Sequence, residues 1–328
     1  MCIIACWHRA ELLYTADSLH KKIILGISVI KNIKKIVNSC VSDQAERKAG
    51  KTGDIPVEFQ TKRRVRRFWD QNPCGSKHVS RSAESEEFFK EYDALRLRLH
   101  PYLVDVLPLS GFPGQRILEI GCGIGADAAA MASHGAEITA FDLSTVSVKL
   151  TRRRFKQYGL KGNFVVGDAE NLPFRGNSHD CVVSLGVLHH TPDTAGAVDE
   201  LYRVLRPRGR AIVMLYNRNS FRYMILYKIL AATKKLRPDR LVAEEYDGKG
   251  NPLGKVFSRN EARSMFSGFS DVTFRVYNFS SYDMARVFDC CSPYLTSLAK
   301  RIVRRVPRLC YDLVSRVLGL DLYIFAVK

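Results

Sequence analysis

Residues 117–126, Ile-Leu-Glu-Ile-Gly-Cys-Gly-Ile-Gly-Ala, followed at 138–143 by Ile-Thr-Ala-Phe-Asp-Leu, decide how this chain folds. Ile117, Leu118 and Ile120 supply an apolar strand, and Gly121, Gly123 and Gly125 permit a tight turn where a Cβ would collide with a ligand. The alanine-rich run from Ala126 to Ser133 then reads as a helix, and 138–142 as a second strand ending on Asp142. That acid lies about 20 residues beyond the turn, the spacing at which nucleotide-binding α/β folds place a carboxylate against ribose hydroxyls. Glycines that only serve tight helix–strand packing are the bland alternative, and the acid at that spacing weighs against it.

Glu119 stands two residues before the first glycine, and the glycines are spaced Gly-x-Gly-x-Gly rather than Gly-x-Gly-x-x-Gly. A carboxylate there would repel a pyrophosphate seated on a helix N-terminus and welcome an ammonium or sulfonium. With 118–125 and 141–143 go two further stretches, Gly-Asp-Ala-Glu-Asn-Leu-Pro-Phe at 167–174 and Asp-Cys-Val-Val-Ser-Leu-Gly-Val-Leu-His-His at 180–190. In order and spacing the four resemble the successive motifs of class I S-adenosylmethionine-dependent methyltransferases. The resemblance runs from about Phe68 to Tyr216 and returns in the last strand. It implies a Rossmann-like seven-stranded α/β sheet, mostly parallel with the last strand antiparallel, and helices on both faces. It implies S-adenosyl-L-methionine as cofactor: Glu119, Gly121, Gly123 and Gly125 at the methionine end, Asp142 at the ribose, Leu143 beside the adenine, Asp168 at its exocyclic amine, Ala169 next to it, and Leu185 and Gly186 beside the sulfonium.

At 328 residues and 46% hydrophobic, the chain can bury a full core, and the net charge of +18 points to an acidic partner such as nucleic acid or anionic lipid. Nine cysteines without a Cys-x-x-Cys pair argue against a disulfide framework and fit a reducing cytoplasm. No run reaches the 18 or so apolar residues of a membrane span, and the apolar run 23–30 lacks the layout of a secretory signal. The expected protein is cytoplasmic, with attachment to a membrane surface left open.

Residues 1–60 read as a basic N-terminal extension, in which Ile23, Ile27, Ile30, Ile33 and Val37 recur at helical spacing. Residues 61–328 read as the methyltransferase domain, with helical insertions at about 218–250 and 281–320. The charge run 62–67 reads as a solvated face or a phosphate contact. Trp69, Asp70 and Tyr92 are expected to cover the site, with simple packing as the alternative. Strands are expected near 116–121, 137–142, 163–167, 180–185, 210–216, 272–278 and 321–327, and helices near 83–100, 124–134, 145–158, 195–205 and 259–266. Arg206-Pro-Arg-Gly209 reads as the turn before the fifth strand, and 247–254 as a turn cluster.

Methyl transfer from a sulfonium asks a protein mainly to hold nucleophile, methyl and leaving sulfur in line. His189 and His190 follow the fourth strand and are the catalytic candidates, since an imidazole can take a proton from a hydroxyl or phenol; orientation of a loop is their alternative role. Trp69 and Tyr216 are the candidate acceptor contacts. No Asn-Pro-Pro-Tyr-type sequence follows the fourth strand, which disfavours a planar nitrogen acceptor and leaves carbon or oxygen. The first insertion, 218–235, is apolar nearly all round and would lid a greasy pocket, sink into a membrane interface or pack on its own domain. The second, with Lys300, Arg301, Arg304, Arg305 and Arg308 beside Ile302, Val303, Val306 and Leu309, has the pattern of a membrane-surface helix. The expected acceptor is therefore a small, lipophilic molecule. An anionic membrane surface is a possible partner, RNA is disfavoured by the scarcity of aromatic residues among the arginines, and no metal-ligand set is present. An RNA methyltransferase, or a non-catalytic module that keeps the fold and docks on membranes or partners, are the rival readings.

Overall fold

A parallel strand covered on both faces must be apolar throughout, and Ile117, Leu118 and Ile120 are all at most 1% exposed. The computed structural model describes residues 57–82, 85, 87–228, 242–279, 283 and 308–328, all within the unit Asp54–Lys328. Among them one sheet contains β1 (Arg116–Ile120), β2 (Glu137–Asp142), β3 (Gly162–Val166), β4 (His179–Leu185), β5 (Leu205–Asn217), β6 (Val256–Phe257), β7 (Asp271–Tyr277) and β8 (Asp321–Val327). The order is β3-β2-β1-β4-β5-β8-β7, with β6 paired to the end of β5. Strands β1 to β6 pair in parallel, and β8 runs antiparallel to β5 and β7.

The helices are α1 (Val57–Gln71), α2 (Glu87–Leu99), α3 (Ala126–Ser133), α4 (Thr145–Gln157), α5 (Thr194–Val204), α6 (Arg259–Met265) and α7 (Arg308–Leu318). Local chemistry fixes their starts. The Ser144 side chain accepts from the Ser147 N–H to open α4, Asp193 does the same for α5 through Gly196, and Ser258 with Glu261 closes a capping box on α6. Successive strand residues point to opposite faces. Ile117, Cys181, Val183 and Ile212 join the core under α3 and α4, whereas Leu118, Val182 and Val213 join the core under α5 and α6. Glu119 therefore falls on the α3 face at the end of β1.

The expected seven strands are present, and β6 is an addition. Two residues, Val256 and Phe257, pair with Tyr216 and Asn217, too few to leave a periodic signal. The expected turn at Arg206–Gly209 lies inside β5 instead. Leu205 already pairs with His179, and the chain bulges before Arg210 pairs with Cys181, with Arg208 at φ 64°. Within the insertion expected to be helical, Arg222–Tyr227 and Ala243–Asp247 form π-helices, and residues 229–241 lie outside the described residues. Helix α1 begins at Val57, within the stretch expected as the N-terminal extension. The basic segments 21–37 and 300–307 lie outside the described residues.

Candidate active site

The strand order reverses between β1 and β4, the place where open parallel sheets bind ligands beyond the carboxyl ends of their strands. A cleft of about 200 Å³ lies there, walled by the loops after β1, β2, β3 and β4 and covered by α1 and α2. The loop after β1 keeps Gly121, Gly123 and Gly125 in the left-handed region, at φ 79°, 54° and 75°. A Cβ at Gly121 would lie 2.1 Å from Val187 Cγ2, and one at Gly125 would lie 2.6 Å from Thr151 Cγ2. A Cβ at Gly123 would meet nothing within 4 Å. Gly121 and Gly125 thus serve close packing, while Gly123 leaves space in the cleft wall.

Two acids flank that loop. Glu119 is 4% exposed; its carboxylate accepts from the Ala128 N–H in the first turn of α3, while Oε2 has no hydrogen-bond partner. Burial, helped by the nearby Asp127 charge, raises its carboxyl well above the usual range, although Arg96 pulls the other way. Asp142 accepts from the Gly123 N–H at 2.9 Å and the Ser144 N–H at 2.8 Å. Burial pushes it up to about 6 against those two bonds. Leu143, Asp168, Ala169 and Leu185 line the same cleft. Asp168 is engaged from above: Lys62 of α1 donates to its Oδ2 at 2.6 Å and pairs with Glu170 at 2.5 Å. The residue expected on a solvated charge run is a clamp across this end of the cleft.

The covering residues divide. Trp69 lines the cleft and stands edge-on to His190, ring centroids 5.4 Å apart, and the buried Tyr92 lines it too. Asp70 is not among the lining residues. It accepts from Ser144 Oγ at 2.8 Å and from the Val146 N–H at 3.3 Å, and so ties α1 to the start of α4.

At the other end of the cleft the two histidines part company. His189 is fully buried, stacks on Tyr216 with centroids 3.8 Å apart, and does not line the cleft. Burial, with His190 beside it, keeps its ring neutral. The expectation that His189 faces the transfer site is corrected by this packing: as the inward residue of a 3-10 turn, Leu188–His190, it fills the space under Tyr216. His190 does line the cleft, and its Nδ1 bonds the Leu253 carbonyl. A carbonyl can only accept, so Nδ1 carries a proton, and Nε2 is the ring nitrogen left for another partner. Nε2 has no hydrogen-bond partner and lies 3.5 Å from Asp247 Oδ2.

Tyr216, also lining the cleft, donates its hydroxyl to Asp247 Oδ1 at 2.7 Å. Burial raises the Asp247 carboxyl, with His190 and the Tyr216 bond opposing. Asp247 was hidden in a turn cluster; the only sequence signal for it is an acid at the start of a glycine-rich stretch following an aromatic, Tyr246. A second buried acid, Asp321, accepts from Tyr102 and from Asn278 Nδ2, which also donates to the Tyr246 hydroxyl at 2.7 Å. Asp321, Tyr246 and Tyr323 complete this aromatic, hydroxyl-rich end. Among the described residues no group of three or more His, Cys, Asp or Glu side chains could hold a metal ion.

A family model described as a methyltransferase domain matches residues 118–213. Over that stretch the sheet matches a methyltransferase domain. The chain is 36% identical over 44% of its length to a phthiotriol/phenolphthiotriol dimycocerosates methyltransferase of Mycobacterium ulcerans, 47% of which is covered. It is 32% identical over 38% of the chain to a ubiquinone biosynthesis O-methyltransferase of Xylella fastidiosa, 50% of which is covered. The chain thus spans about half the length of the curated relatives it matches. A solved S-adenosylmethionine-dependent methyltransferase of Thermotoga maritima, titled a possible histamine N-methyltransferase, matches with a TM-score of 0.47 and 19% identity over 80% of this chain and 99% of that one.

Proposed function

We propose that this protein transfers a methyl group from S-adenosylmethionine to a carbon or oxygen atom of a small, lipophilic acceptor. The observation that carries the reading is a single cleft with a buried carboxyl oxygen, Glu119 Oε2, left without a hydrogen-bond partner at one end and an unbonded imidazole nitrogen, His190 Nε2, at the other. The residues present fit the cofactor. Glu119 Oε2 would take the ammonium of the methionine end, the open Gly123 wall leaves room beside it, and Asp142, fixed by two N–H groups, keeps lone pairs for the ribose. Asp168 and Lys62 close the adenine end, with Leu143 and Ala169 as its apolar sides. Bound S-adenosylmethionine supplies an activated methyl group, so the chain's own task is alignment and proton removal.

His190 is placed for the second task. Its Nδ1–H bond to Leu253 fixes the tautomer, and Nε2 can take the proton of an acceptor O–H or activated C–H. Asp247 then faces the imidazolium across 3.5 Å, and the Tyr216 hydroxyl holds Asp247 in position. Trp69 and the tyrosines 246 and 323 offer flat apolar surface for the acceptor body. The two relatives whose printed names concern mycocerosate lipids and ubiquinone support a lipophilic acceptor.

The test is incubation of the full-length protein with methyl-labelled cofactor and a cell extract, followed by separation into lipid, RNA, protein and water-soluble fractions. Label in the lipid fraction, lost in His190→Gln, is expected. Label confined to RNA would replace the acceptor assignment with the nucleic-acid reading that the +18 charge allows.

A further inference from the structure

An amphipathic helix normally hides its aliphatic side chains, and α7 does so only in part. Tyr311 and Ser315 face inward: Ser315 Oγ accepts from the Phe279 N–H at 3.2 Å, and Tyr311 lies 6.1 Å from the Phe279 ring. Leu313 and Val317, on the far side, are 56% and 65% exposed, and Val314 is 37% exposed. The turn Arg222–Tyr227 adds Met224 at 48% and Ile225 at 36%. The two elements are neighbours, because Phe279 is wedged between Tyr311 and Phe221, whose ring stands 5.3 Å away. Five large aliphatic side chains therefore face solvent on adjoining elements, where scattered single ones are the norm.

What surrounds and underlies this face points to its occupant. Arg316, Arg259 and Lys228 lie on the same elements or in contact with them, Arg259 reaching the Arg316 carbonyl at 3.5 Å, against Asp312 and the Arg218-bound Glu261. Protein interfaces favour aromatic anchors, whereas these exposed residues are aliphatic with cations beside them, the composition of helices that lie in a membrane interface. The face is also wired to the acceptor end of the cleft. Arg222 Nη2 donates to Asn278 Oδ1 at 3.4 Å, and Asn278 in turn bonds Asp321 and Tyr246, both of which line the cleft.

We propose that the face formed by Leu313, Val314 and Val317 of α7 with Met224 and Ile225 docks on an anionic lipid bilayer, so that the cleft draws its acceptor from the membrane. The docking stands on the exposed face, and only the purpose given to it rests on the acceptor being lipophilic. Sinking the aliphatic side chains removes them from water, and the cations meet anionic headgroups, so binding weakens as salt rises.

The experiment is cosedimentation of the full-length protein with phosphatidylcholine vesicles with and without phosphatidylglycerol. Leu313→Asp with Val317→Asp, and Met224→Asp with Ile225→Asp, are the patch variants. Val166→Asp, on the edge strand β3 at the opposite side of the sheet, is the control. Binding to the phosphatidylglycerol vesicles is expected, with a loss of at least about tenfold in each patch pair and none in the control. Melting curves and cofactor titration of the same variants report whether they fold and keep the cofactor end intact. Vesicle binding that survives both patch pairs overturns the assignment. So does a dimer in analytical ultracentrifugation that the same pairs dissolve without any lipid binding, which would make the face a contact between two copies. Failure of the wild type to bind the cofactor would sink the methyltransferase reading while leaving the vesicle result to stand by itself.

Discussion

Replacing Glu119 with Gln separates the carboxylate's charge from its shape. The amide keeps the oxygen that accepts from Ala128 and stays within the same buried volume, but it cannot ionise beside an ammonium. A carboxylate–ammonium contact at about 4 Å in a medium of effective dielectric near 20 is worth about 4 kcal/mol. Part of that is offset by the burial that raises this carboxyl above its usual range. About 2 to 3 kcal/mol remains, the range of a hydrogen bond to a charged group, so S-adenosylmethionine should bind on the order of 30- to 150-fold more weakly. Burial raises the free carboxyl and an ammonium partner favours its ionised form, so binding should draw more protons off the wild type than off the Gln variant, and wild-type affinity should gain more from rising pH. Isothermal titration in buffers of different ionisation heat reads the proton count directly. The unliganded variant should melt close to wild type, since burial already disfavours a charge at this position. An affinity within about threefold of wild type, with the same pH slope, would refute the assignment of Glu119 to the ammonium.

Other substitutions test other parts of the cleft. Gly121→Ala drives a methyl to 2.1 Å from Val187 and should lower the melting temperature sharply, whereas Gly123→Ala meets no neighbour and costs only about 1 kcal/mol for its left-handed backbone. Gly123→Arg, filling the cleft wall, should abolish cofactor binding in a protein that still melts cooperatively. Asp321, raised to about 6 by burial, contributes stability that is complete below its unfolded value of about 3.9 and is lost as pH rises through about 6. Denaturant midpoints at acidic and neutral pH should therefore converge in Asp321→Asn, with Asp142 leaving a residual slope of the same sign. His190→Gln should cut methyl transfer by roughly a hundredfold or more with cofactor affinity unchanged, and Tyr216→Phe should cost less, because it only frees Asp247. Equal losses of transfer in His189→Leu and His190→Gln, each still folded, would contradict the division of roles between the two rings.

The glycine turn, the acids bounding it and the alternation of strands and helices were legible because each is local. A few residues of fixed type at fixed spacing specify β1, the loop, α3, β2 and Asp142, and parallel strands announce themselves as apolar runs. The cover of the site was legible only by type. Trp69 and Tyr92 are in the cleft, but Asp70, equally plausible in sequence, spends its carboxylate on Ser144 and the start of α4. Long-range polar contacts escaped altogether. Lys62 meets Asp168 across 106 residues, and Asp247 meets Tyr216 across 31, with no periodicity to betray either pair. His189 and His190 are adjacent in sequence and chemically identical. Only packing under Tyr216 distinguishes the ring that is filler from the ring that lines the cleft. In the apolar insertion the described residues Arg222–Tyr227 form a π-helix, a winding that periodicity does not distinguish from a regular helix.

The most direct measurement of the central claim is calorimetric titration of the full-length protein with S-adenosylmethionine and with S-adenosylhomocysteine above neutral pH. Saturable binding of both at one site per chain, weakened in Glu119→Gln and with less proton release there than in wild type, is the predicted result. No detectable heat or thermal stabilisation from either compound, with a protein that melts cooperatively, would contradict it.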